Sequence, residues 1–265
     1  MKTKFFFRSF LLIFALYCFS VSAQSQTWGE PFKAGENLSY EANFSKLVLR
    51  GIEVATLNFI VEELPGGENY LVKTNAKSKG TLAALLNFKF NQNIESTVDG
   101  EKFQILKTAK RDEQGSRVRD SEAAFDYQTG KVIFTETDPN DIARPPRRVA
   151  SQIEAGTQDL VTAIYSLRRL PLAVGRSFEI KLSDSGLTYK IPVRVTAREQ
   201  QKSILGKVWC FRVEPLVFGK NRLIENEGSM ILWITDDARR LPVRSRLNLD
   251  IGRVEVKLKQ LNPKR

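Results

Sequence analysis

The C-terminal stretch from Gly228 to Leu261 alternates apolar and polar residues over most of its length, a period typical of half-buried β-strands. Its middle part places Leu241, Val243, Leu247 and Leu249 on one face and Arg244, Arg246, Asn248 and Asp250 on the other, with Ser245 interrupting the apolar row. Residues 230–235 are apolar on both faces, so we expect that strand to be covered on both sides. The stretch predicts an antiparallel meander packed on a core.

The same alternation recurs along the chain between turns marked by glycine, proline and aspartate, and indicates about 10–13 strands in all. The charged segment 110–119 is expected to be a loop or hairpin tip. Segment 138–156 contains three prolines and is expected to lack regular structure. A single helical turn could fit residues 81–86. The pattern therefore predicts that most of the chain forms strands joined by short turns.

One main helix is predicted over about residues 158–170, with Thr157 as its N-cap, Asp159 complementing the helix dipole and Pro171 ending it. Its apolar residues cover more than half of its circumference, so we expect it to be buried. They are Leu160, Ala163, Ile164 and Leu167 on one face and Val161 and Tyr165 beside them. The predicted fold is mainly β, a curved antiparallel sheet or open β-barrel-like sheet that wraps this helix.

The N-terminus has the pattern of a secretory signal peptide, because Lys2, Lys4 and Arg8 precede an uncharged run from Ser9 to Val21. We expect cleavage after Ala23, which defines residues 1–23 as the signal peptide. Residues 24–265 would then form a single β domain exported to the periplasm or the extracellular space.

The formal net charge of +11 would suggest nucleic acid in a cytosolic protein, but predicted export argues against a nucleic-acid partner. Two interpretations of the basic residues remain. They could favour peripheral contact with an anionic membrane, or they could form a solvated basic exterior, which is the simpler interpretation.

Several kinds of enzyme site are excluded by composition. The chain has no histidine, and removal of the signal peptide takes Cys18 away and leaves Cys210 as the only thiol. Histidine-dependent triads, histidine metal sites and cysteine clusters are therefore excluded. Cys210 lies in a strand pattern and is expected to be a buried structural thiol. No metal, cofactor or catalytic residue is predicted, and we expect that the protein is not an enzyme.

The acidic pair Asp236 and Asp237 is the best remaining candidate for carboxylate chemistry, but a structural role in a turn is favoured. We expect Asp236 to accept backbone N–H bonds and Asp237 to pair with Arg239 or Arg240. Pro242 would rigidify the end of the same turn.

Four segments resemble an exported bacterial family of unknown function, DUF3108. They are Pro31 to Glu41, Asn93 to Gly100, Asp159 to Arg168 and, most specifically, Ile231 to Val243. Thr235 departs from the serine expected in that family. The resemblance implies an exported β protein but no reaction. In architecture the expected fold is also similar to that of the periplasmic lipoprotein carriers, in which a curved sheet wraps a helix around a lipid cavity. A shared fold alone carries little information about function.

The leading hypothesis is a non-catalytic envelope protein that holds a lipid or other apolar ligand inside its curved sheet. Candidate ligand-binding residues are Leu160, Ile164, Leu167 and Trp233. The alternative is a structural module of the cell envelope with a filled core, which docks a protein partner. An interior volume of several hundred cubic ångströms would favour the first hypothesis.

Overall fold

The structure is a computed structural model that describes residues 33–80 and 89–262. This part contains fourteen strands and one helix, α1 (Leu160–Arg169). The strands are β1 (Asn37–Lys46), β2 (Leu49–Glu63), β3 (Asn69–Ser78), β4 (Phe90–Asp99), β5 (Ile105–Gln114), β6 (Arg117–Asp126), β7 (Lys131–Thr137), β8 (Arg147–Gln152), β9 (Ser177–Asp184), β10 (Leu187–Ser203), β11 (Gly206–Pro215), β12 (Gly228–Thr235), β13 (Pro242–Leu249) and β14 (Gly252–Leu261). The predicted signal peptide and the helical turn considered at 81–86 lie outside the described residues.

All fourteen strands belong to one antiparallel sheet in the order β8-β7-β6-β5-β4-β3-β2-β1-β14-β13-β12-β11-β10-β9. Neighbouring strands are consecutive in sequence except at the centre, where β1 pairs with β14 and Ala42 lies opposite Val256. This pairing joins the N-terminal and C-terminal halves into a single curved sheet. The prediction of a mainly β fold with one curved antiparallel sheet around one helix is confirmed.

The sheet curls until its two ends meet, although β8 and β9 do not pair with each other within the described residues. The turn between β9 and β10 packs on the opposite end, where Ser151 donates a hydrogen bond of 2.6 Å to the Gly186 carbonyl. Gly186 has φ +81°, and a Cβ there would lie 2.7 Å from Cβ of Val149 and 2.8 Å from Cβ of Phe134. Only glycine permits this close approach.

The charged segment 110–119 forms the tip of the β5–β6 hairpin, one of the two forms expected for it. Its charges pair on the sheet surface, as in the 3.2 Å contact between Arg111 and Asp120. The expectation for the next irregular segment was wrong. Segment 138–156 contains β8, whose backbone pairs with β7. The total of fourteen strands is one above the expected range of about 10–13, because β8 lies in this proline-containing segment.

The predicted helix is present, but Asp159 rather than Thr157 is its N-cap. One carboxylate oxygen of Asp159 accepts hydrogen bonds from the backbone N–H groups of Val161 and Thr162, at 3.0 and 2.7 Å. The other accepts from the hydroxyls of Ser96 and Thr108, at 2.5 and 2.7 Å, which ties α1 to β4 and β5. Thr157 instead donates to the carbonyl of Glu154 in the preceding turn.

Helix α1 connects the two edge strands and lies against the concave face of the sheet. Val161 and Tyr165 pack with the N-terminal half of the sheet, and Ala163 and Leu167 pack with the C-terminal half. Leu160, in contrast, is 40% exposed. Val161 and Tyr165, which were expected beside the main apolar face, are thus the most deeply buried apolar residues of α1. No helix among the described residues has the length and apolar character needed to cross a membrane.

Strand β12 is covered on both faces, as its sequence predicted. Leu232 and Ile234 pack in the core cluster that includes Leu167. Ile231 and Trp233 point to the other side and belong to a second apolar cluster, against which Leu205 and Val208 pack. The hairpin of β10 and β11 supplies this second cover, because these strands extend beyond their neighbours and fold over the convex face.

Candidate functional site

An apolar cavity of about 200 Å³ lies between α1 and the concave face of the central strands. Its roof is formed by Ile164, Tyr165 and Arg168 of α1. Its walls come from β1, β2 and β12 to β14, chiefly through Leu38, Tyr40, Leu57, Phe59, Met230, Leu232, Ser245, Leu247 and Val256. The cavity therefore spans the junction at which the two halves of the sheet pair.

The floor of the cavity follows from the strand register. Leu232 lies opposite Ser245, and Ser245 lies opposite Val256, so these three residues form one row on the concave face. The short side chain of Ser245 leaves space between its two larger neighbours. Since Leu57, Phe59, Met230, Leu247 and Val256 are all partly exposed, solvent reaches the cavity.

A buried ion pair closes one side of the cavity. Both terminal nitrogens of Arg168 donate to the carboxylate of Glu36, each at 2.7 Å, in a bidentate arrangement. One of them also donates to the carbonyl of Arg239, at 3.0 Å. The Arg168 side chain is 1% exposed and that of Glu36 is 11% exposed. The cationic group at the cavity wall is therefore already neutralised.

Two tyrosines add aromatic surface without adding charge. Tyr40 contacts the ring of Phe59 edge to face, with ring centroids 5.6 Å apart. Burial raises the pKa of Tyr40 and the pKa of Tyr165 well above the usual tyrosine value. Both hydroxyls therefore stay protonated at physiological pH, and the cavity wall remains uncharged.

Of the four residues predicted to bind a ligand, Ile164 alone lines this cavity. Leu160 lies at the exposed start of α1, beside a smaller pocket of about 60 Å³ near Asp159. Leu167 is buried in the core cluster of the C-terminal half of the sheet. Trp233 lies on the convex face, where its indole N–H donates to Glu199 and where Arg244 and Arg246 stack on its ring. The structure thus does not bring these four together.

Most of the wall comes from residues that were not singled out in the sequence, such as Tyr40, Leu57 and Phe59. Their alternation predicted a buried face but gave no sign of which part of that face is unfilled. Ser245 did give a signal, because it is a small polar residue in an otherwise apolar row. A small residue at such a position leaves space between the sheet and the helix that a larger apolar side chain would fill.

Comparison with protein families matches residues 39–259 to the family described as "Protein of unknown function (DUF3108)". The chain belongs to the DUF3108 family. The match covers most of the chain, includes the strands of the cavity wall except for the first two residues of β1 and the last two of β14, and confirms the resemblance found in the sequence. Comparison with the curated proteins gave no match.

Among solved structures, the DUF3108 fold is similar to a "Beta-barrel-like Protein of Domain of Unknown Function DUF1849 from Brucella abortus". The TM-score is 0.56 at 9% sequence identity, and the alignment covers 85% of this chain and 96% of that one. At this identity the similarity shows the fold alone.

The most specific segment of the DUF3108 resemblance contains the turn after β12, where the expectation for Asp237 is confirmed and that for Asp236 was wrong. Asp237 pairs with Arg239 at 2.7 Å, and it also accepts the backbone N–H bonds that were expected of Asp236. One Asp237 oxygen accepts hydrogen bonds from the hydroxyl of Thr235 and from the backbone N–H groups of Arg239 and Arg240, at 2.8, 3.0 and 3.2 Å. Burial alone would raise the pKa of Asp237, but its hydrogen bonds with Arg239 and Thr235 hold it below the usual value. Asp237, rather than Asp236, therefore organises the turn.

Asp236 instead forms ion pairs, at 2.6 Å with Arg198 of β10 and at 3.5 Å with Arg240. Its backbone N–H donates to the Trp209 carbonyl, which holds it beside the β10–β11 hairpin. Arg240 is buried, with its guanidinium 4.9 Å from the centre of the Phe211 ring. Pro242 begins β13 and lines the cavity. Both carboxylates thus have structural partners.

Cys210 is a free, fully buried thiol, as predicted. Burial raises its pKa to about 12, so the reactive thiolate is scarcely populated at neutral pH. Within residues 33–80 and 89–262, no three acidic or cysteine side chains come close enough together to hold a metal ion.

Proposed function

We propose that this protein binds an uncharged apolar ligand in the cavity between α1 and the sheet and leaves it chemically unchanged. The observation that carries the proposal is the cavity itself, which has apolar walls and is reached by solvent. An apolar cavity of about 150 Å³ is enough to bind benzene. The cavity is therefore large enough for one ring or a short hydrocarbon segment.

The size of the cavity limits how a lipid would bind. Pockets that enclose a drug-sized ligand have volumes of about 300–1,000 Å³, and this cavity, at about 200 Å³, is smaller. A lipid would therefore insert part of one hydrocarbon chain between Ile164 and Val256, and the remainder would lie outside the cavity.

The charge at the wall also selects the ligand. Arg168 would attract an anionic head group if it were unpaired, but its bidentate contact with Glu36 uses both terminal nitrogens. Displacing Glu36 would leave a buried carboxylate without its partner, which is costly. An uncharged group is therefore favoured at this end of the cavity.

We also propose that the protein is not an enzyme. This is supported by the structural partners of Asp236 and Asp237, and by the raised pKa of the buried Cys210 thiol. A catalytic carboxylate or thiolate needs an accessible reactive atom with a pKa suited to its task.

The proposed compartment is the cell envelope, and the support is the signal-peptide pattern of residues 1–23. An exported protein would meet lipids and other apolar envelope components there, and would not meet nucleic acid. The structural module with a protein partner remains the second candidate, favoured by the dense packing of Leu167 and Trp233 on either side of β12.

Replacing Ser245 with phenylalanine tests the ligand-binding proposal. We expect the wild-type protein to bind N-phenyl-1-naphthylamine, an uncharged apolar fluorophore, saturably and with increased emission, with its phenyl ring inside the cavity and its naphthyl group at the opening. Because Ser245→Phe fills space that is otherwise open, it should weaken this binding about tenfold or more while leaving the free energy of unfolding unchanged or higher. A fluorescence titration and a chemical denaturation curve provide the two measurements.

Ser39→Phe is the matched control, because Ser39 alternates with Leu38 and Tyr40 on β1 and so faces away from the cavity. It should bind the fluorophore like the wild type. A wild-type protein that does not bind the fluorophore, or a Ser245→Phe variant that binds it equally well or is destabilised by about 1–3 kcal/mol through overpacking, would support the filled structural module.

A further inference from the structure

Two neighbouring hairpins end in exposed apolar side chains. The β1–β2 turn carries Leu47 and Val48, which are 87% and 91% exposed, and the β13–β14 turn carries Ile251, which is 63% exposed. We name residues 46–51 and 249–253 together the tip surface. Large apolar side chains are costly to expose at such a degree, and clustered examples mark interaction sites.

The two turns form one surface because β1 and β14 pair up to their ends. Ser45 lies opposite Arg253 in this pairing. The Phe44 ring packs directly on Gly252, where an added Cβ would lie 2.8 Å from two ring atoms. Leu47, Val48 and Ile251 are therefore held at the same end of the sheet.

The charges of the tip surface are mostly positive. Lys46, Arg50 and Arg253 are exposed beside the apolar side chains, and Asp250 is the single acidic residue of these two segments. The adjoining connection between β11 and β12 has balanced charges, with Lys220 and Arg222 set against Glu225 and Glu227. Apolar tips surrounded by basic residues are complementary to a bilayer surface that contains anionic lipids.

We propose that the tip surface docks the protein onto an anionic lipid bilayer. Leu47, Val48 and Ile251 enter the region between head groups and acyl chains, and Lys46, Arg50 and Arg253 contact lipid phosphates. A bilayer fits better than a protein partner, since a stable protein interface buries about 800 Å² on each side. Two separate turns that project from the end of the sheet do not form the continuous, packed patch of such an interface, whereas a soft lipid surface accepts separate side chains.

The concave face is apolar between this surface and the cavity. One row of facing residues crosses five strands between the tips and the row that contains Ser245, and every member of it is partly exposed. It consists of Met230, Leu247, Val254, Phe44 and Ile52. Met230 and Leu247 also line the cavity. The cavity wall therefore extends toward the tip surface, and a bilayer bound there would lie close to the cavity. Docking itself depends on the tip residues and does not require a ligand in the cavity.

Vesicle sedimentation tests the docking proposal. We expect the purified protein to bind vesicles of phosphatidylcholine with phosphatidylglycerol, to bind vesicles of phosphatidylcholine alone far more weakly, and to dissociate as salt concentration rises. Replacing Leu47, Val48 and Ile251 together by serine should weaken binding to the anionic vesicles about tenfold or more. These side chains are exposed, so the denaturation midpoint of the triple variant should equal that of the wild type.

Ile142→Ser is the control, because Ile142 is 95% exposed in the β7–β8 connection, outside the tip surface. It should bind anionic vesicles like the wild type. The Ser245→Phe variant should also bind them normally, so that failure of docking and failure of cavity binding are separate results. Equal binding to both kinds of vesicle, or undiminished binding by the triple variant, overturns the proposal. A third outcome also overturns it: the wild type does not bind vesicles but forms a concentration-dependent dimer, and the triple variant does not form this dimer. The tips would then contact a second copy of the chain.

Discussion

Replacing Glu36 with alanine is expected to lower the free energy of unfolding by about 3–5 kcal/mol. The change removes the bidentate partner of Arg168, whose guanidinium is buried under the sheet at the cavity wall. The carbonyl of Arg239 is too small a compensation for a desolvated cation. A chemical denaturation curve at neutral pH measures the loss.

Glu62→Ala provides the comparison for Glu36→Ala. Glu62 pairs with Lys73 at 2.6 Å, but the two side chains are 46% and 39% exposed. Water screens such a pair, so we expect a loss below about 1 kcal/mol. If the two variants lost the same free energy of unfolding, the ion pair of Glu36 with Arg168 would contribute no more to stability than an exposed ion pair.

Replacing Gly186 with alanine is expected to cost about 2–4 kcal/mol, the second largest effect. The added Cβ would meet Val149 and Phe134 at distances that real Cβ atoms do not adopt, and the backbone has φ +81°. The turn between β9 and β10 would have to move away from β8. Loss of stability by denaturation, together with faster hydrogen exchange in β7 and β8, would report this opening.

Gly206→Ala separates the backbone effect from the contact. Gly206 has φ +86° in the β10–β11 turn, and no atom lies within 4 Å of the position of an added Cβ. It should cost only the strain of a left-handed residue, about 1–2 kcal/mol. If both glycine variants lost the same stability, the packing of the two ends of the sheet would not depend on Gly186.

The alternating pattern was sufficient to predict most strands, because a half-buried strand must place apolar side chains on one face. It also predicted the double cover of β12 from its continuous apolar run. It could not predict that β1 pairs with β14, since alternation does not specify a partner. The single sheet depends on this contact between the two ends of the chain, such as that of Phe44 with Val254.

The cavity was harder to predict for a related reason. Ile164 faces the cavity and Leu167 faces a packed core, yet both are aliphatic residues on the same helix. The difference arises from what lies opposite, in particular the short side chain of Ser245. The ion pair of Glu36 and Arg168 was equally hidden, because 132 residues separate its members.

There is a local cause for Asp237, rather than Asp236, accepting the backbone N–H bonds of the turn. Successive residues at the end of a strand point in opposite directions, so only one carboxylate can turn back to the N–H groups of Arg239 and Arg240. The other faces Arg198, which arrives from β10 through the folded hairpin. Sequence alone gave no information about that hairpin's position.

The most direct test of the central claim is mass spectrometry of the organic extract from protein purified without detergent from the cells that naturally produce it. The account predicts an uncharged apolar molecule, close to one per chain, in the wild-type extract and little or none in the Ser245→Phe extract. A wild-type extract without any apolar molecule, from protein that also fails to take up the fluorophore, would contradict it.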